Sequence, residues 1–475
     1  MEHFDLIVIG SGPAGEKGAA QAAYFNKRVA IIERASHVGG AGINTGTLPS
    51  KTLRETALYF SGLRQRGLYG IDYSIKENLN IADFMYRKEI VVKNEWRIIT
   101  NNLTRHNIQL INGKARLKDA NTVTVKSSHG ETDFSADVIL IATGSSPLHP
   151  AEIPFDHKLI FDSDDILFMD RIPRTMVVVG GGVIGTEYAS IFTAMGVKVT
   201  LVEPKGRILP FVDSEITTSL TQHLEMLGLR FLFNERMIKI ETHNGRVQIA
   251  LQSGDTYKFD IALIAAGRQS NIQGLGLEEV GVEIGERGLV VVNEKYQTSV
   301  PNIYAAGDVI GFPALASTSM EQARVAMVHA FDLHYKKKVS PILPLAVYGI
   351  PEISSVGFTE DECKEKNIAY LVGRASFENS SRGQITGETN GMIKLIFSPD
   401  DKRLLGAHII SEQAAELIHL AANVIARNET IDVFIEAVYN YPTLSESYKY
   451  AAYDGLGKLQ EWLQKNTAPL VQKHC

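Results

Sequence analysis

Two glycine triplets carry the first chemistry in this chain. Gly10, Gly12 and Gly15 lie in Gly10-Ser11-Gly12-Pro13-Ala14-Gly15, and Gly180, Gly182 and Gly185 in Gly180-Gly181-Gly182-Val183-Ile184-Gly185. In each triplet the first glycine permits a tight turn. The second lets backbone approach a pyrophosphate, and the third lets a helix pack on a strand. Phosphates then sit on the helix N-terminus, where unpaired N–H groups and the dipole favour anions. An acid follows each triplet, Glu33 after the first and Glu203 after the second. Each is placed to accept from a ribose hydroxyl, and at the second site this favours NAD and repels a 2′-phosphate. Lys205 and Arg207 come just after Glu203. They read either as contacts that offset that repulsion, opening the site to NADP(H), or as a solvated basic turn.

These residues need strand–loop–helix–strand units to position them, and the pattern supplies two. Phe4 to Ile9 is a β-rich run, followed by the first glycine loop and an Ala-rich helical stretch to about Asn26. Arg28 to Ile32 is the next strand, ending at Glu33. The unit recurs as a strand over Thr175 to Val179, a helix through Met195 and a strand over Lys198 to Val202. Such a repeat predicts two nucleotide sites. Val138 to Ala142 reads as a buried strand entering a turn at Thr143-Gly144, and Ala262 to Ala266 echoes it before Gly267. From Leu343 the character changes: candidate strands at Ala375-Ser376-Phe377 and Met392 to Phe397 precede helices at about 411–426.

Composition narrows the function classes. A chain of 475 residues with 44% hydrophobic content suits a soluble globular protein of roughly two to four domains. A net charge of −6 and no long Lys/Arg run disfavour nucleic acid as a partner. Two cysteines, Cys363 and Cys475, exclude a disulfide framework and suit a reducing cytoplasm. The start Met1-Glu2-His3-Phe4-Asp5 has no signal-peptide pattern, and no apolar run reaches the ~18 residues of a membrane span. No metal site is read. Cys363 is expected on a partly exposed helix without a redox role, and Cys475 ends a polar tail.

At the level of longer motifs the chain resembles the glutathione reductase-type flavoproteins, the class I pyridine nucleotide-disulfide oxidoreductases, over nearly its whole length. The resemblance rests on the first glycine loop, the segment Gly39 to Lys51, Ala142-Thr143-Gly144, the second glycine loop through Glu187, Tyr304 to Asp308, and Asn440 to Glu446. It implies an α/β fold with two Rossmann-like (three-layer ββα) dinucleotide-binding domains and a C-terminal α+β dimerisation domain. An FAD-binding domain would span 1–150 and 273–342, an NAD(P)-binding domain 151–272 and a dimerisation domain 343–475. FAD would occupy the first site and NAD(H) the second. Asp308 would bond the flavin's ribityl chain, cap a helix, or both. Lys51, paired with Glu187, would stand beside flavin N5 and stabilise charge there. Val183 stands where some relatives place an aromatic gate.

The departures from the family pattern point to the reaction. Gly42 and Thr47 stand where the family has its two redox cysteines, and Tyr441 replaces the catalytic histidine while its partner Glu446 remains. Thiol relay and its general base are both gone. Thr47 is read as a hydrogen-bond donor toward the flavin or as packing, Tyr441 as filler at the dimer interface. Within the family the soluble transhydrogenases resemble the chain most, though they usually keep the first cysteine and lack an acid at the Glu203 position. The expected activity is hydride exchange between NADPH or NADH and NAD+ or NADP+ through FAD. An NAD(P)H dehydrogenase reducing a quinone or dye, and a non-catalytic flavoprotein, are the other readings. A homodimer is the expected minimum unit, with Tyr441 and Glu446 reaching the partner's site.

Overall fold

The computed structural model describes residues 1–62 and 80–467, so the tail and Cys475 lie outside the described residues. The first sheet has parallel strands in the order Gln109–Asn112, Val29–Glu33, Glu2–Ile9, Gly130–Ile141, with Ile303–Ala305 on the far side of Gly130–Ile141. The long strand is where this seven-stranded sheet branches. Its second half pairs in parallel with Ile303–Ala305, while its first half pairs antiparallel with Thr122–Ser127, which in turn pairs with Lys114–Leu117. Helices Pro13–Tyr24 and Ala316–Ala330 pack on each other against the parallel face, giving a helix–sheet–meander sandwich. Val29–Glu33 is buried at every position, as a parallel strand covered on both faces must be.

The second unit repeats this plan. Arg230–Phe233, Lys198–Glu203, Thr175–Val179, Ile261–Ile264 and Ile160–Phe161 run in parallel. Helix Val183–Ala194 covers one face, and the antiparallel meander Met237–His243, Arg246–Leu251, Thr256–Phe259 covers the other. A two-stranded ribbon, Ser145–Pro147 with Arg268–Ser270, joins the two units. The C-terminal unit is an antiparallel five-stranded sheet in the order Leu345–Val347, Glu352–Gly357, Leu404–Ser411, Met392–Phe397, Leu371–Ser376. Helices Ala414–Ala426 and Ser447–Thr467 pack on it. The α/β architecture agrees with the expectation from sequence.

Several elements differ in detail. The first helix stops at Tyr24 and Asn26 takes a left-handed φ of 59°, so the chain turns two residues before the expected end. The strand expected through Phe377 ends at Ser376, whose side chain caps a 3-10 turn beginning at Phe377. Cys363 is fully buried within helix Glu360–Glu365, because that short amphipathic helix turns its one apolar side chain inward.

Candidate functional site

Each glycine triplet is held by contacts that only glycine tolerates. Gly10 has φ +103°, and a Cβ there would stand 2.5 Å from the Ala142 carbonyl oxygen. A Cβ on Gly15 would stand 1.9 Å from the Gly10 oxygen, so helix and strand could not approach. Gly180 and Gly185 repeat this at 2.6 Å from the Ala265 oxygen and 1.8 Å from the Gly180 oxygen. Gly182 is different: a Cβ there meets nothing within 4 Å, so the space beside it is open to a ligand. Helices Pro13–Tyr24 and Val183–Ala194 begin without a side-chain cap, leaving their first N–H groups to a ligand.

The two acids anchor the glycine loops. Glu33 accepts from the backbone N–H of Ser11 at 3.0 Å, the Ser11 hydroxyl at 2.6 Å and the Ala35 N–H at 2.8 Å. Glu203 accepts from the Gly181 N–H at 2.6 Å and the Lys205 N–H at 2.9 Å. Each carboxylate therefore fixes the loop beside the phosphate position and keeps acceptor capacity for a hydroxyl. Beyond Glu203, the Lys205 side chain is exposed and makes no ion pair among the described residues. Arg207 instead turns to the C-terminal unit, donating to the Pro210 carbonyl at 2.8 Å and the Asp361 carboxylate at 3.2 Å.

A cavity of about 1990 Å³ runs from the first glycine loop across the junction of the three units. It is far above the ~300–1,000 Å³ of a pocket for one small ligand. Gly10, Gly12, Glu33, Gly42, Thr47, Lys51, Thr143, Gly144, Val183, Glu187 and Asp308 all line it. Gly180, Gly182, Gly185, Glu203, Lys205 and Gly267 do not line it, although Val183 and Ile184, next to Gly182, do. Tyr441 and Glu446 are also away from it. Tyr441 is exposed with its hydroxyl 2.7 Å from Ser381 Oγ, and Glu446 accepts from the Tyr450 hydroxyl at 3.4 Å.

Inside the cavity Lys51 Nζ donates to Glu187 at 2.9 Å (Oε1) and 2.7 Å (Oε2). Glu187 is nearly buried and also accepts from the Tyr348 N–H at 2.9 Å, while Lys51 Nζ lies 4.9 Å from the Tyr348 ring centre. The carboxylate limits the cost of holding an ammonium in a low-dielectric site. Lys51 sits in the second turn of helix Thr47–Ser61, and Thr47 opens that helix. Gly42 lies in the short helix Gly40–Asn44, where a Cβ would stand 3.0 Å from Pro13 Cγ.

Asp308 accepts from the Ser145 hydroxyl at 2.6 Å, and Arg268 donates to that hydroxyl at 2.8 Å. The expectation of a capping role fails. Gly307 is the cap residue of the turn Asp308–Ile310 and no side chain caps it, so the Asp308 carboxylate is turned to Ser145 instead. Sequence reading missed Ser145, Arg268 and Asp164. Burial pushes the Asp164 carboxyl up against the opposing pull of Arg268, 3.7 Å away. Their partners come from distant strands, so no local spacing marks them. Tyr348 also lines the cavity, and its backbone contact to Glu187 has no sequence signal.

The residues present fit FAD at the first loop. Thr143 Oγ1 is buried with no partner among the described residues, in the wall beside Gly10 and Gly12. An orphaned hydroxyl of this kind calls for a ligand acceptor or donor. No group of three or more potential metal ligands occurs among the described residues.

Comparison with known proteins agrees with this geometry. Residues 4–330 match the family described as Pyridine nucleotide-disulphide oxidoreductase, and residues 343–452 match its dimerisation domain. A soluble pyridine nucleotide transhydrogenase of Mycobacterium tuberculosis is 42% identical over 462 residues, 97% of this chain and 98% of its own. That of Yersinia enterocolitica is 40% identical over 461 residues, covering 96% and 99%. Among solved structures, LpdA from Mycobacterium tuberculosis superposes with a TM-score of 0.88 at 26% identity, covering 95% of this chain and 99% of that one. The HOCl-induced flavoprotein disulfide reductase RclA from Escherichia coli superposes with a TM-score of 0.84 at 28% identity, covering 94% and 98%.

Proposed function

We propose that this chain, which belongs to the pyridine nucleotide-disulphide oxidoreductase family, is an FAD-dependent soluble transhydrogenase exchanging hydride between NADPH or NADH and NAD+ or NADP+. The observation that carries this reading is the cavity itself. It unites the Lys51–Glu187 pair with Gly42 and Thr47, and neither of these can relay electrons to a disulfide. Disulfide reduction is accordingly not expected. Bound FAD supplies the hydride relay.

The protein's own residues bind and orient. Gly10, Gly12 and Gly15 admit one pyrophosphate and Gly180, Gly182 and Gly185 the other, each on an uncapped helix start. Glu33 and Glu203 accept from ribose hydroxyls while holding those loops. Asp308 fixes the ribityl chain, Thr143 and Gly144 wall the flavin, and Gly267 lies in the turn after the strand Ile261–Ile264, beside the nicotinamide nucleotide. Lys51, held by Glu187, places a positive charge beside the isoalloxazine, and Thr47 lies one turn earlier on the same helix face. Lys205 is the cation available to a 2′-phosphate. Arg207 is withdrawn from that role by Asp361. The units are 1–150 with 273–342 for FAD, 151–272 for NAD(P) and 343–475 for dimerisation. A homodimer would bring Tyr441 and Glu446 to the partner's cavity. No described helix is long and apolar enough to cross a membrane, and cytoplasmic residence is part of the proposal.

The test is hydride transfer from NADPH to a spectroscopically distinct NAD+ analogue by purified flavin-loaded protein. Turnover with parallel-line kinetics is expected. Flavin reduction by NADH alone, with no turnover until a quinone or dye is added, would replace this reading with the dehydrogenase.

A further inference from the structure

Arg54 is the largest fully buried side chain among the described residues, with 1% of its side chain exposed. It lies one helical turn after Lys51 on helix Thr47–Ser61. Its Nε–H donates to the Gly349 carbonyl at 2.6 Å, Nη1 to Glu55 at 2.6 Å, and Nη2 to Glu412 at 3.0 Å. Nη1 also lies 3.3 Å from Glu352. Gly349 directly follows Tyr348, whose N–H donates to Glu187 Oε1 at 2.9 Å. A short chain of bonds therefore runs from the guanidinium through two backbone residues to the carboxylate that holds Lys51.

We infer that Arg54 is a positioning residue that sets the charge balance of the Lys51–Glu187 pair by holding the Tyr348–Gly349 backbone. The inference rests on the reading of Lys51 as the charge beside the flavin. The physical reason lies in how Glu187 divides its charge. While Tyr348 N–H donates to Oε1, part of the carboxylate charge is answered by the backbone, and the ammonium keeps a surplus toward the cavity. With Gly349 released, Tyr348 N–H swings off, Glu187 offsets Lys51 more fully, and an electron pair added at the flavin is less stabilised. Only a planar fork can reach the Gly349 carbonyl and three carboxylates at once. Lysine keeps the charge and cannot span them.

The experiment measures the reduction potential of bound flavin by dye equilibration in wild type, Arg54→Lys and Lys51→Met, alongside thermal melting. Arg54→Lys is expected to lower the flavin's reduction equilibrium constant about tenfold, about 30 mV for a two-electron couple. Adding Glu187→Gln to Arg54→Lys should restore it, because the uncompensated carboxylate is then neutral. If Arg54→Lys does not fold, Arg54→Met with Glu352→Gln removes one charge of each sign from the same pocket and takes its place. A shift in Lys51→Met with none in the Arg54 variants, or a fall in melting temperature alone, overturns the role of Arg54. No shift in Lys51→Met overturns the reading of Lys51 and this inference with it.

Discussion

Gly182→Ala separates ligand binding from folding, and its effect follows from the geometry of the second loop. A Cβ at Gly182 meets no protein atom within 4 Å, and its φ of −75° with ψ of −170° suits any residue. The substitution gains about 0.4–1 kcal/mol by stiffening the unfolded chain and loses a comparable amount as a poorer helix start, so stability should stay within about 1 kcal/mol. The methyl group instead fills the space where backbone N–H groups would meet a pyrophosphate. One lost hydrogen bond to a charged group is worth about 1.5–3 kcal/mol, which is about a ten- to hundredfold loss of nucleotide affinity. Gly185→Ala is the counterpart. Its Cβ would stand 1.8 Å from a backbone oxygen, and the overpacking costs at least about 1–3 kcal/mol with loss of NADH binding as the second unit loosens. Melting curves and NADH titrations of both variants decide the matter. Unchanged NADH affinity in Gly182→Ala would refute a phosphate site at this loop.

Four further outcomes are expected. Lys51→Met should retain FAD yet slow flavin reduction by NADH at least tenfold in stopped-flow traces, with about 1.5–3 kcal/mol of stability lost as Glu187 forfeits its cation. Lys205→Ala should raise the KM for NADPH about two- to fivefold, as one exposed charge contact allows, with little change for NADH in steady-state assays. Between the second and third units, burial raises the Glu215 carboxyl, but hydrogen bonds from Arg374 and Lys394 outweigh this and hold it below its ordinary 4.5. Its stabilisation is thus full above pH ~4.5 and lost as pH falls further. Lys394→Met, which strips the fully buried Asp213 of its cation, should cost about 3–5 kcal/mol by denaturant titration at neutral pH.

What sequence discloses here is what is local. Glycine loops, their acids and the strands between them are written in short spacings, because φ > 0 and close backbone approach admit only glycine at Gly10 and Gly180. The network under the cavity is not written that way. Arg54 reaches Gly349 and Glu412 across hundreds of residues, and its charge gives no hint of burial. Arg207 shows the opposite failure. Its position near Glu203 allows either a phosphate contact or a solvated turn, and a helix from another unit supplies Asp361 as its anion. The first helix ends two residues before the expected Asn26, because left-handed Asn26 needs no glycine to end a helix.

The long strand Gly130–Ile141 takes its last parallel neighbour, Ile303–Ala305, from beyond the whole second unit. Emerging from a ribosome, the first half of the chain can form its helix and meander, yet the open edge at Ile139 to Ile141 has to wait for residues made much later. Closure of that edge is a non-local step, and such steps are slow. The second unit should mature first, and the nascent first sheet is where a chaperone would find an unpaired apolar strand.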